Sequence, residues 1–243
     1  MSYSVEIPFR QIILHIDETI EGLDANYIAS GLHEITGINI IVKGDIFREY
    51  SRESTPEEIA STRIADVKSR VFRSPLPVEI DIEKKILAGK NIRGIIYDGW
   101  KLSRMMYLPE KNSKYHMIAV TPRLMGTLEK GDARYHIRAV LNSIPSIIST
   151  DGIVEGPARP RSYYIGNEGP CDVNYMRYGD ERMSKAIISY ALQTVMWRIT
   201  GVPFCSRRGC PLYNSHWQEE LIDSQVEGRL CEEHRPKLYL SSR

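Results

Sequence analysis

The chain has 243 residues, of which 42% are hydrophobic, 26% charged and 9% aromatic, enough to bury one substantial core. Its 32 basic and 31 acidic side chains leave a net charge of +1, so no strong field points to a nucleic acid or a membrane surface as partner. No apolar run approaches the roughly 18 residues of a membrane-spanning helix, and the opening MSYSVEIPFRQ lacks a charged stretch followed by an apolar one, so a cytoplasmic location is expected.

The first half alternates strand-like and helix-like segments. Residues 11–16 (QIILHI) form an apolar run of strand length. Residues 26–36 carry Ile28, Leu32 and Ile35 at helical spacing, with Gly37 as a stop. Residues 38–42 (INIIV) are β-branched and read as a buried strand. Thr55-Pro56-Glu57-Glu58 then offers a capping threonine, a proline at the first helical position and a glutamate three residues after the cap, which predicts a helix to about Arg70. Residues 72–81 hold two prolines and read as a loop entering a strand. Residues 92–97 read as a strand, and 101–114 as polar and irregular. Strands are expected at 116–121, 135–141 and 146–150. The turn in 126–132 (EKGD) would make a hairpin of the first two. Residues 151–160 and 166–170 are rich in Gly and Pro and read as loop. The last strong helix is expected over 181–200, capped by Asp180 and ended by Gly201 and Pro203. Its apolar Ile188, Leu192, Val195 and Ile199 predict an amphipathic helix lying on a sheet. The fold class is α/β: one domain over 1–243, a mixed sheet with packed helices, and a C-terminal cysteine-bearing segment at 205–234.

Three of the four cysteines fall in the last 39 residues. Cys205 and Cys210 are separated by four residues, Cys231 and His234 by two, and twenty lie between the pairs. Two short-spaced pairs of soft and borderline donors suit a tetrahedral zinc ion. Their surroundings are polar (Ser206, Arg207, Arg208, Glu232, Glu233), unlike those of inert core cysteines. His216, beside Trp217, competes with His234 for the fourth position. Cys171 stands alone in a polar loop and reads as a bystander.

The stretch from Thr194 to Cys231 resembles the archaemetzincins, a family of metzincin-type zinc peptidases. Their pattern runs HExxHxxG, three residues, Cys, four residues, Cys-x-Met, about seventeen residues, and Cys-x-x-Cys. Here Gly201 is followed by Val202, Pro203, Phe204 and Cys205, and then by Cys210. Leu212 stands at the methionine position, and after eighteen further residues come Cys231 and, in place of the last cysteine, His234. The catalytic half departs from the pattern. Thr194 holds the first histidine position, Val195 the glutamate, Arg198 the second histidine and Phe204 the third ligand position. Histidines four apart on one helix face chelate one ion beside a glutamate base, and none of these four residues does either. The resemblance therefore implies a metzincin-like fold and a divergent archaeal member. It implies one structural zinc on Cys205, Cys210, Cys231 and His234, and no catalytic zinc.

A second candidate region is DGIVEGPARPRSYY, residues 151–164. Glu155, Arg159, Arg161 and Tyr163, facing Arg198 across the old cleft, would bind a peptide or a small anion. Arg123, His136 and Arg138 would join them if they converge; otherwise these charges form ordinary surface pairs. A metal site from His116, His136 and Glu155 or Asp151 is conceivable, though no spacing supports it. His15 and His33 read as packing or surface residues. Two alternatives to a degenerate peptidase remain. One is an active hydrolase with a relocated site, built from Glu155 or His136 with an arginine. The other is a zinc-supported protein-interaction module.

Overall fold

Chain order alternates parallel strands with crossover helices, and the consequence is a mixed five-stranded sheet. The computed structural model describes residues 8–71, 73–107, 114–160, 163–164 and 174–239. Strands β1 (Gln11–Ile16), β2 (Asn39–Lys43), β4 (Tyr115–Thr121), β7 (Val140–Leu141) and β8 (Ser146–Ser149) assemble in the order β2-β1-β4-β8-β7. All neighbours are parallel except β7, which closes one edge antiparallel to β8. A second sheet joins β3 (Ile96–Asp98), β5 (Leu124–Thr127) and β6 (His136–Arg138).

One face of the large sheet packs on helices α1 (Ala25–Thr36) and α7 (Met183–Thr200). Asp24 caps α1 through Tyr27 N–H, and Gly37 ends it in the left-handed region. Gly31 lets α7 approach closely, since a Cβ there would lie 2.7 Å from Ile188 Cδ1. The other face packs on α2 (Ile46–Glu49), α3 (Thr55–Ala60) and α5 (Gly99–Met105). The C-terminal segment is part of the first core, to which it contributes Cys205, Cys210, Leu212, Leu221, Ile222 and Leu238.

Several expectations need correction. The helix from Thr55 stops at Ala60, and the chain turns extended because Ile64 N–H donates to Ile96 O and Asp98 N–H to Thr62 O. Pairing with β3 outcompetes local helix propensity there. Residues 77–87 are a helix, α4 (Pro77–Leu87), not a loop entering a strand. Pro77 occupies the first turn, where no N–H is needed, and Glu79 accepts from Leu76 N–H. The start of 101–114 is helical in α5, capped by Asp98. The turn in 126–132 joins β5, not β4, to β6. Residues 150–155 form a buried turn of helix, α6 (Thr150–Glu155), capped by Ser149. Finally, α7 is not amphipathic over most of its length. From Met183 to Met196 only Lys185 among its residues escapes burial, as befits a helix enclosed on all sides. Residues 166–170, Cys171 and Arg161 lie outside the described residues.

Candidate metal centre and the cleft beside it

The metal-binding chemistry begins where α7 ends. Gly201 takes φ 75° and returns its N–H to Trp197 O, a conformation only glycine adopts cheaply. The chain then runs through Val202, Pro203 and Phe204 to Cys205, whose N–H donates to Leu212 O at 2.8 Å. Between these two residues the chain folds into a tight turn, with Gly209 at φ 85° and its N–H on Ser224 Oγ. Two glutamines hold the far side. Gln193 and Gln225 each donate to both Pro211 O and Tyr213 O at 2.8–3.3 Å. A second turn, Cys231 to His234, leads into α9 (Arg235–Leu238), following α8 (Gln218–Leu221) and its π-helical continuation Ile222–Val226.

These turns bring four donors together. One ligand atom from each of Cys205, Cys210, Cys231 and His234 falls within 4.8 Å of all the others. Cys205 Sγ lies 4.0 Å from Cys231 Sγ, and His234 Nδ1 lies 3.0 Å from Cys231 Sγ. Zinc–sulfur bonds of 2.3 Å in a tetrahedron put two sulfurs about 3.8 Å apart, so the donor set fits that ion in both chemistry and spacing. Arg207 N–H donates to Cys205 Sγ at 3.3 Å, the kind of contact that orients a thiolate ligand. Burial pushes the Cys210 thiol up. It acts likewise on Cys231, but hydrogen bonds from the His234 side chain and backbone N–H and from Cys210 and Cys205 together outweigh it and bring that thiol down. His216 is outside the group and instead lines a cleft with Phe204. Among the described residues this is the one cluster of three or more His, Cys, Asp or Glu that could hold a metal. In particular, His116, His136, Glu155 and Asp151 do not assemble into one.

The positions matched to catalytic ligands lie in a different environment. Thr194 and Val195 are both fully buried. Thr194 Oγ1 donates to Ala191 O at 2.8 Å and lies 2.9 Å from His116 Nε2. With its proton committed to Ala191, the hydroxyl is the acceptor and His116 Nε2 carries the hydrogen. Phe9 packs on the His116 ring at 5.1 Å. Burial, seconded by the Arg198 charge, depresses the His116 pKa to about 3, so the imidazole is neutral. Arg198 is half-buried in the last turn of α7, and its Nε has no hydrogen-bond partner. Phe204 is 38% exposed. None of the four offers a free ligand atom for a divalent cation.

The second candidate region gathers elsewhere. Glu155 accepts from Tyr178 OH at 3.0 Å and lies 3.8 Å from Arg159. Arg159 stacks on Tyr175 at 4.6 Å, and Tyr163 meets the same ring edge-on at 6.4 Å. Asp151, Tyr178 and Met183 line one cavity at the start of α7. Arg198 lies fifteen residues further along that helix, about 22 Å at 1.5 Å per residue. The expected convergence of Arg123 with Arg198 is therefore not found, whereas Arg138 shares a cleft with Phe204. Arg138 donates to Thr127 Oγ1 at 2.9 Å, His136 pairs with Asp132 at 3.7 Å, and Arg123 is buried at the far end of the sheet. Charges at the two ends of an eighteen-residue helix cannot share one ligand. Beside β6 and β7, a cleft of about 120 Å³ is lined by Arg138, Tyr190, Gln193, Phe204, Tyr213 and His216. His15 and His33 are structural, with Nδ1 of each against a backbone oxygen, Gly44 O at 3.0 Å and Ile38 O at 2.8 Å.

The His116–Thr194 pair escapes sequence reasoning, because 78 residues separate its members. The charged residues within two positions of a strand's end, Asp17, Asp45 and Arg123, carry a readable signal: a polar residue at a strand's carboxyl end.

Comparison with known proteins adds three findings. The family described as "Probable metallopeptidase family (DUF6775)" matches residues 8–240. No curated protein matches the chain. Among solved structures, a zinc-dependent peptidase from Methanocorpusculum labreanum is similar, with a TM-score of 0.47 and 13% identity over 93% of this chain and 99% of that one.

Proposed function

The chain belongs to this metallopeptidase family, and from that premise we propose that it is a member in which zinc holds the fold and performs no hydrolysis. The supporting observation is the donor set. Cys205, Cys210, Cys231 and His234 provide four protein ligands, the closed arrangement of structural zinc, whereas catalytic zinc keeps one position open. Bound there, zinc supplies a cross-link between the turn after α7 and the turn before α9. On this reading the chain is a divergent relative of the archaemetzincins. The buried Thr194, Val195 and His116 fill the place of the catalytic ligands, and Arg198 adds a positive charge that repels a second cation. The cleft between β6–β7 and α7 takes a peptide, with the edge strand offering backbone groups and Arg138 a positive charge.

Metal analysis of the purified protein, paired with a peptide-cleavage assay, tests the reading. One zinc per chain, lost together with Cys205→Ala, and no cleavage are expected. Two tightly bound metals, or peptidase activity abolished by chelation and restored by zinc, overturn it.

A further inference from the structure

The carboxyl ends of β2, β1, β4 and β8 lie side by side. The order β2-β1-β4-β8 means that the chain leaves β1 toward one side to make β2 and returns on the other side as β4. Parallel sheets open a crevice at such a reversal, outside the carboxyl ends of the strands. The residues just beyond these ends are charged and buried: Asp17 after β1, Asp45 after β2, Arg123 after β4 and Asp151 after β8. Glu83 of α4 joins them with 0% exposure.

Most of these charges already have partners. Arg63 donates twice to Glu83 Oε1, at 3.0 and 2.6 Å, and Tyr97 OH donates to the same oxygen at 2.7 Å. Arg48 holds Glu18 at 3.0 Å and lies 3.7 Å from Asp17 and 3.8 Å from Asp45. Arg93 lies 3.6 Å from Asp151. Arg123 is also paired by charge, to Glu83 and Asp17, but it differs in being deeply buried with no hydrogen bond. Its side chain is 2% exposed, and Nε, Nη1 and Nη2 are all buried with no hydrogen-bond partner. The nearest carboxylate oxygens, Glu83 Oε2 at 3.6 Å and Asp17 Oδ2 at 3.9 Å, are beyond hydrogen-bond range. The Phe47 ring supports the guanidinium at 4.7 Å. A desolvated guanidinium without acceptors is costly to maintain.

We propose that Arg123 anchors a binding site for a compact oxyanion, a carboxylate or phosphoryl group, in the crevice at the carboxyl ends of β1 and β4. Two adjoining cavities of about 20 Å³ each lie there, sharing Thr19, Asn91, Arg93, Pro122 and Asp151, and Arg123 lines one of them. A single water needs roughly 10–15 Å³ by the same measure, so the space suits a group of a few atoms and not a nucleotide. The planar fork of an arginine matches the two oxygens of such a group. Exposed Lys90 and Arg93 stand at the mouth and favour entry of an anion. The site is separate from the metal centre and does not depend on the zinc reading.

Calorimetric titration of the intact protein with inorganic phosphate and, separately, with acetate at constant ionic strength tests the proposal. One site per chain is expected for at least one of the two. Phosphate alone identifies a phosphoryl ligand, and acetate alone a carboxylate. Arg123→Lys, which keeps the charge but loses the fork, should weaken binding tenfold or more, and Arg93→Ala several-fold. Arg229→Ala, beside the metal centre, should leave binding unchanged. If Arg123→Lys does not fold, Arg93→Ala decides. The proposal fails if neither anion binds the unaltered protein, in which case the crevice holds only water. It fails equally if binding persists undiminished in the folded variants.

Discussion

Replacing Cys231 by serine removes one donor from the Cys3His cluster while nearly preserving side-chain volume. Cys231 is only partly buried, so little packing is lost and the effect reports the metal. A bound zinc ties Cys231 to Cys205, 26 residues earlier. Treated as a chain cross-link, closing that span removes unfolded-state entropy equivalent to about 3.5 kcal/mol at 25 °C. A chain of this size shifts its melting temperature by about 2–4 °C per kcal/mol, so Cys231→Ser should melt roughly 7–14 °C lower. The loss is a large share of the 5–15 kcal/mol typical of a folded domain. Differential scanning calorimetry of both proteins, with and without a chelator, measures it. Chelation should bring the unaltered protein down to the level of the variant and leave the variant unmoved. An unaltered melting temperature in Cys231→Ser, or insensitivity of both proteins to chelation, would refute the cross-link.

Two further outcomes follow from buried groups. The His116 pKa is depressed to about 3 in the folded protein, mainly by burial, against an ordinary value of 6.5. The unfolded chain therefore binds the extra proton between these values. The resulting penalty is absent above pH 6.5, grows as pH falls and levels off below about 3. By pH 5 it amounts to about 2 kcal/mol, so His116→Gln should gain about that much stability relative to the unaltered protein between pH 7 and 5 when denaturation midpoints are compared at each pH. Asp45 and Asp151, lifted to about 6, contribute the opposite slope, with stability lost as pH rises from 4 to 6, and the comparison with His116→Gln cancels it. Gly152→Ala should destabilise by roughly 1–3 kcal/mol through overpacking, because the added methyl would lie 2.2 Å from Arg138 O. Urea denaturation measures that cost, and wild-type stability would mean that the α6–β6 contact is looser than described.

The parts of the molecule legible in the sequence are those written in local chemistry. Apolar β-branched runs specified β1, β2 and β8, but the expected burial of β2 is not found, since it lies at the sheet edge with Val42 39% exposed. Gly201 marked the end of α7, because only a residue tolerant of positive φ closes a helix that way. The two cysteine-containing pairs were readable because each lies within a single turn. Local signals failed where a distant contact outweighs them. The helix after Thr55 is shortened by pairing with β3, and the four-three-four spacing of α7 suggests an amphipathic helix although both its faces are covered. The two prolines of residues 72–81 suggest a loop, yet in a helix's first turn the N–H that Pro77 lacks costs nothing.

Tertiary structure alone decided which residues meet. The archaemetzincin resemblance sets Thr194, Arg198 and Phe204 at ligand positions and Val195 at that of the base, but nothing in the sequence shows that Thr194 is sealed against His116 from a strand 78 residues away. The sequence left open whether Arg123 converges with Arg198, and the length of α7 keeps those two apart. The same strand order that separates them brings Asp17, Asp45, Glu83 and Arg123 together from four segments of the chain. Spacing along a chain fixes neighbours only within a turn or two. Beyond that, sheet order and helix length determine which charges share a crevice.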